Sequence, residues 1–180
     1  YSPPNDTART IGHGLGAVPR FIIIKARNRA ENGFVFHYSV GTGGQILDNQ
    51  TTYNSSSTLG DAYPTSTVYK LGTDWRMNGN YNYVMYSWAP IEGYSIFGRY
   101  HGNGYHQTAG AYPSGKDGPF IHTGFSPKLI FIKCDSTTGS WTIYDTARGP
   151  ENPNKSVLFW NSNGDESTSH ISGANIDIFS

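Results

Sequence analysis

Six histidines, His13, His37, His101, His106, His122 and His170, are the first residues here that could bind metal or move protons. No HExxH pattern or other fixed ligand spacing brings two of them onto one face. His101 and His106 lie close in sequence, but Gly102, Asn103 and Gly104 between them set no geometry. Surface or hydrogen-bonded positions are expected, with structural roles for His13 and His122, which precede Gly turns. No metal site is expected. Cys134 is the single cysteine, so an intrachain disulfide and a Cys-based zinc site are excluded. No G-x-S-x-G elbow is present, and Cys134 follows Ile132-Lys133 at an expected strand end. An inert, buried or half-buried thiol is the expectation. Glycoside hydrolysis needs two carboxylates flanking one bond. Asp61, Asp74, Glu92, Asp117, Asp145, Asp165 and Glu166 are available, yet none stands in a recognisable catalytic context. The chain reads as having no catalytic residue and no cofactor.

Asn161-Ser162-Asn163-Gly164-Asp165-Glu166 faintly resembles a calcium loop. A hairpin turn at Asn-Gly explains it more simply. The stronger signal is aromatic and polar density in turns. Trp75, Arg76, Asn78 and Tyr81 form one such cluster, and Tyr100, His101, Asn103, Tyr105, His106 and Tyr112 form a second. A sugar presents apolar C–H faces ringed by hydroxyls, which a rigid ring beside amide and guanidinium donors suits. Rigid Tyr and Trp serve protein contacts equally well, because little side-chain entropy is lost on ordering them. These ten residues are the candidate glycan or partner surface.

The elements that must carry these groups are legible from composition. The chain has 180 residues, enough for a core without staples. Thirteen basic residues balance 13 acidic ones, and the pI is near 7.2, so the basic excess of a nucleic-acid binder is missing. Charged residues are 14%, while Gly (22) and Tyr (13) are abundant. No apolar run approaches membrane-spanning length. Beginning at Tyr1 without Met or a signal peptide, the chain reads as a fragment or a processed product.

Every long apolar stretch is broken by Gly or Pro before a helical period is established. Strands are expected at Phe21 to Lys25, Phe34 to Tyr38, Tyr81 to Trp88, Tyr94 to Tyr100, Phe120 to Thr123, Leu129 to Lys133, Trp141 to Tyr144 and Val157 to Trp160. Phe21 to Lys25 is a β-branched run suited to burial on both faces. Short strands divided by turn residues point to an all-β, jelly-roll-like sandwich.

Pro19-Arg20-Phe21-Ile22-Ile23-Ile24-Lys25 matches Pro127-Lys128-Leu129-Ile130-Phe131-Ile132-Lys133 at an offset of 108. Downstream, Phe34 to Tyr38 faces Trp141 to Asp145, and Val68 to Leu71 faces Ile176 to Phe179. The sandwich is therefore expected to hold two pseudo-repeats, residues 1–90 and 91–180, sharing one core. Phe21, Ile23, Phe34, Phe36, Leu129, Phe131, Trp141 and Ile143 are the expected core. A slip of one residue would exchange the faces. Repeat two ends before an equivalent of Tyr81 to Pro90, and repeat one lacks an equivalent of Ser95 to Tyr100.

Two strings carry a resemblance. One runs from Ser87-Trp88-Ala89-Pro90-Ile91-Glu92-Gly93-Tyr94 through Tyr100-His101-Gly102-Asn103-Gly104. The other is Asp117-Gly118-Pro119-Phe120-Ile121-His122-Thr123-Gly124-Phe125-Ser126-Pro127-Lys128, followed by Trp141-Thr142-Ile143-Tyr144-Asp145. The chain resembles the tandem β modules of unknown function in predicted tail-fibre and virion-surface proteins of marine tailed phages. It departs from them at Tyr105 to Lys116, an insertion between the GNG turn and DGPF that reads as an exposed loop.

The resemblance implies a virion-surface or extracellular setting and a non-enzymatic role, structural and adhesive. Glycan binding is its specific version, and a glycan-cleaving tailspike-type enzyme is the alternative. Partners are expected to be further copies or fibre neighbours and a host-surface glycan, with neither nucleic acid nor membrane. Missing edge strands favour an oligomer, with Tyr1 to Arg9 and Asn175 to Ser180 at intersubunit contacts.

Overall fold

The computed structural model describes residues 8–47, 52–53, 62–103, 118–151, 154, 156–162 and 164. It is an all-β sandwich of antiparallel sheets. The strands are β1 (Arg9–Gly12), β2 (Phe21–Ala26), β3 (Phe34–His37), β4 (Gly44–Ile46), β5 (Thr52–Tyr53), β6 (Val68–Leu71), β7 (Tyr83–Trp88), β8 (Leu129–Ile132), β9 (Thr142–Asp145) and β10 (Val157–Phe159). The central sheet has the order β5-β4-β3-β2-β7. β1 and β6 form a two-stranded sheet, and β10-β9-β8 form a three-stranded one.

The Ile-rich run sits at the centre of the molecule because it buries both faces. Alternation sends Ile22 and Ile24 one way, onto Phe34, Phe36, Tyr69, Leu71 and Met77. Phe21 and Ile23 go the other way, onto Val35 and Trp141, with Leu47, Phe97 and Trp160 half-buried around them. Each such side chain contributes about 1.5–3 kcal/mol by leaving water. Buried Pro19 precedes the run, placing its missing N–H ahead of the ladder. One close approach fixes the hairpin that follows. A side chain at Gly44 would overlap the Phe34 ring, so that ring can lie over β4 only if residue 44 is Gly.

β8 and β9 pair in the register that β2 and β3 use. Phe21↔His37 and Ile24↔Phe34 in one sheet stand beside Leu129↔Asp145 and Ile132↔Thr142 in the other, every residue 108 positions on. Backbone bonds outside the ladders agree: Tyr38 N–H donates to Arg20 O at 2.8 Å, and Thr146 N–H to Lys128 O at 3.1 Å. This register corrects the expected alignment by one residue. Phe34 corresponds to Thr142, and Trp141 corresponds to Gly33.

Several other expectations are corrected. Phe21, Ile23, Phe34, Phe36 and Trp141 are buried as expected, with Phe34 and Phe36 on the opposite face of the central sheet from Phe21 and Ile23. Leu129 and Phe131 are 53% and 41% exposed rather than buried; among the described residues their side of β8 carries little beyond a contact of Phe131 with Trp160 (ring centroids 4.9 Å). Ile143 is only half-buried. Tyr94 to Tyr100 and Phe120 to Thr123 form no strands; among the described residues no neighbouring strand offers them a ladder. The first instead opens on a turn closed by Ile91↔Ser95, with Gly93 at φ 70. Helix is nearly absent, as expected, but Tyr38–Val40 forms a 3-10 turn and α1 (Trp75–Asn78) a single α-helical turn. Ile176 to Phe179 lies outside the described residues.

Candidate functional site

α1 carries three of the candidate residues, and its local chemistry explains how they are held. Asp74 caps it: the buried carboxylate accepts the Arg76 N–H at 2.9 Å and pairs with the Arg76 guanidinium at 3.1 Å. Met77 points into the core. Asn78 is also buried, and its Nδ2 donates to Gly72 O at 2.5 Å. The turn ends against β7. Gly79 N–H donates to the Tyr83 hydroxyl at 2.9 Å, and that hydroxyl donates to Trp75 O at 2.8 Å. Burial raises the Tyr83 phenol above its ordinary pKa, keeping it a donor at neutral pH.

Trp75 is thereby left exposed on a fixed backbone. Arg29 reaches it from the loop after β2, its guanidinium carbon 4.6 Å from the Trp75 ring centroid and 4.9 Å from that of Tyr81. Arg29 also donates to the Tyr81 hydroxyl and pairs with Glu31 at 2.9 Å. Arg76 approaches the Trp75 ring at 4.9 Å. Two guanidiniums and two aromatic rings thus form one exposed rim.

Behind the rim lies a cleft of about 470 Å³ between α1, β7 and the β1–β6 sheet. Asn78, Gly79 and Tyr81 line it on the rim side; Arg9, His13 and Tyr69 line it opposite. Tyr69 is bonded to Ser87 on β7, which ties the two sheets across the cleft. His13 is held in one tautomer: Nδ1 accepts the Leu15 N–H at 3.1 Å, and Nε2 donates to Thr65 O at 3.0 Å. Its ring stands 4.6 Å from Tyr69. Arg9 Nε is buried without a hydrogen-bond partner among the described residues. None of the described residues that line it is acidic. The described wall offers hydrogen-bond donors and aromatic rings.

The second cluster is elsewhere. Arg99 pairs with Asp135 at 3.0 Å, setting Tyr100 beside the turn after β8. Burial raises the Tyr100 phenol, with a smaller contribution from Cys134. His101 and Asn103 are exposed nearby. No described contact joins this group to Trp75. Tyr105, His106, Tyr112, Asp165, Glu166 and His170 lie outside the described residues. Among the described residues, no group of His, Cys, Asp and Glu could hold a metal. Cys134 is exposed, not buried, because β8 ends before it and Asp135 to Thr137 bend away into solvent.

Trp75, Arg76, Asn78 and Tyr81, expected together from the sequence, do lie together around α1, and the fold adds Arg9, His13, Arg29 and Tyr69 beside them. The Gly turn after His13 was the only signal at that residue. Arg29 carried none, since only the fold brings the loop after β2 against Tyr81.

No helix among the described residues is long and apolar enough to cross a membrane. Over residues 1–180 the chain matches a family described as a domain of unknown function, DUF7483. No curated protein and no solved structure matches it.

Proposed function

We propose that this chain, which belongs to the DUF7483 family, is a non-enzymatic surface module that binds a glycan in the cleft beside α1. The observation that carries this reading is the cleft's composition. A volume of about 470 Å³ accommodates a saccharide unit or two. Tyr81 offers a ring for its C–H surfaces, and Arg9 Nε supplies a buried donor that has no hydrogen-bond partner among the described residues. The rim of Trp75 and Arg29 extends the contact outward. A virion or extracellular setting is supported by the resemblance of the Ser87 to Gly104 and Asp117 to Lys128 strings to phage tail-surface modules.

A glycan array followed by calorimetric titration tests this. Saturable binding to one glycan class, weakened at least about tenfold by Tyr81→Ala or Arg9→Ala, is the expected result. Binding unaffected by either variant would remove the cleft from the account. Sustained release of reducing ends from a bound polysaccharide would replace it with the cleaving alternative.

A further inference from the structure

β2 and β8 stand in the same register but keep different company. β2 has β3 on one side and β7 on the other; β8 has β9 on one side and, among the described residues, no strand on the other. Lys128 O accepts from Thr146 N–H, so the alternation of the ladder turns the peptide groups of Ile130 and Ile132 toward β9. Those of Leu129 and Phe131 point outward. The same positions in β2, Phe21 and Ile23, face Trp88 and Tyr86 of β7. The side chains repeat the contrast. Phe21 and Ile23 are 8% and 4% exposed beneath Trp141 and Phe97, whereas Leu129 and Phe131 are 53% and 41% exposed.

The contact between the central and three-stranded sheets therefore shows what covers such a surface. We propose that the outer edge and exposed face of β8 receive a further module of the same kind. It would bring a strand with the aromatic alternation of β7, antiparallel, with the counterparts of Trp88 and Tyr86 opposite Leu129 and Phe131. A ring placed as Trp141 is would close over Phe131. The main-chain bonds give affinity, and the alternating aromatics fix the register. No charged residue lies within Leu129–Ile132 to guard that edge against pairing.

Appending a second copy of residues 73–180 after Ser180 tests this directly. It sets a new β7 sequence as far beyond β8 as β7 lies beyond β2. Amide hydrogen exchange at Leu129 and Phe131 should be fast in the 180-residue chain and slowed by about tenfold or more in the extended one. Tyr86→Pro made only in the appended copy should restore fast exchange, while protected amides at Ile22 and Ile24 report that the central sheet is intact. Equal exchange in the two chains would overturn the proposal. So would protection already present in the 180-residue chain, which would give the edge to this chain's own residues or to a second copy.

Discussion

His37 and Asp145 hold the same post in two different sheets. Each closes a strand and turns its side chain back to accept the N–H two residues on. Ser39 donates to His37 Nδ1 at 3.3 Å, and Ala147 donates to Asp145 Oδ1 at 3.0 Å. An imidazole can do this only while Nδ1 is unprotonated, a carboxylate best while ionised. One structural task thus carries two pH sensitivities.

For His37 the consequence falls near neutrality. Burial lowers its pKa, with Asp135 opposing weakly, so the unfolded chain takes up a proton at a higher pH than the folded one. Stability is full above the ordinary histidine pKa and declines as pH falls from there toward the folded value. Melting temperature should drop between about pH 7 and 5 in the parent and stay nearly level in His37→Asn, which keeps an acceptor for Ser39. A level parent profile would contradict this. Asp145, its pKa lowered by the Arg148 N–H and guanidinium, is lost only in stronger acid.

Gly44→Ala tests the hairpin. The added methyl overlaps the Phe34 ring and crowds the Val35 carbonyl, so the ring must leave its place in the core. A loss of about 1–3 kcal/mol in urea unfolding is expected, in the range of other overpacked cores. Unchanged stability would mean that Phe34 does not lie over β4.

Tyr83→Phe separates positioning from contact. It deletes the hydroxyl that links Gly79 and Trp75 to β7 and leaves the ring in place. Stability should fall by about 1 kcal/mol. Glycan affinity should fall further than that loss explains, because Trp75 is no longer held. Affinity equal to the parent's would show that the anchored turn is not needed.

Cys134 gives a chemical test of local geometry. It is exposed, and its pKa is lowered by hydrogen bonds from the Ser136 hydroxyl and backbone, which favour the thiolate. Iodoacetamide should alkylate the folded chain fully at this single site, more slowly after Ser136→Ala. Labelling that required denaturant would place the thiol inside.

Much of this was legible because β periodicity is local. The Phe21 to Lys25 run announces a doubly buried strand, and the apolar Leu129 to Lys133 run announces β8. The faces were not legible, since exposure of Leu129 and Phe131 depends on what packs above them rather than on their own types. Aromatic size pairs Phe34 with Trp141, whereas hydrogen-bond register follows spacing and pairs Phe34 with Thr142. At the cleft, Trp75 to Tyr81 stand together in sequence and so are legible as a cluster. Arg9 and Arg29 come from distant segments, and only sheet pairing and loop packing bring them there.

Trp141 leads into β9 of the three-stranded sheet, yet it is dried by the central one. Its ring packs on Phe21, and its indole N–H donates to Ile46 O at 3.4 Å. Neither sheet can melt without wetting that ring, so heat should dismantle both in one step. The same rivet sets a sequence of events in folding. The pocket for the indole exists only after β2, β3 and β4 have paired, which makes the central sheet the template and the later sheet the lodger. A ribosome would release them in that order.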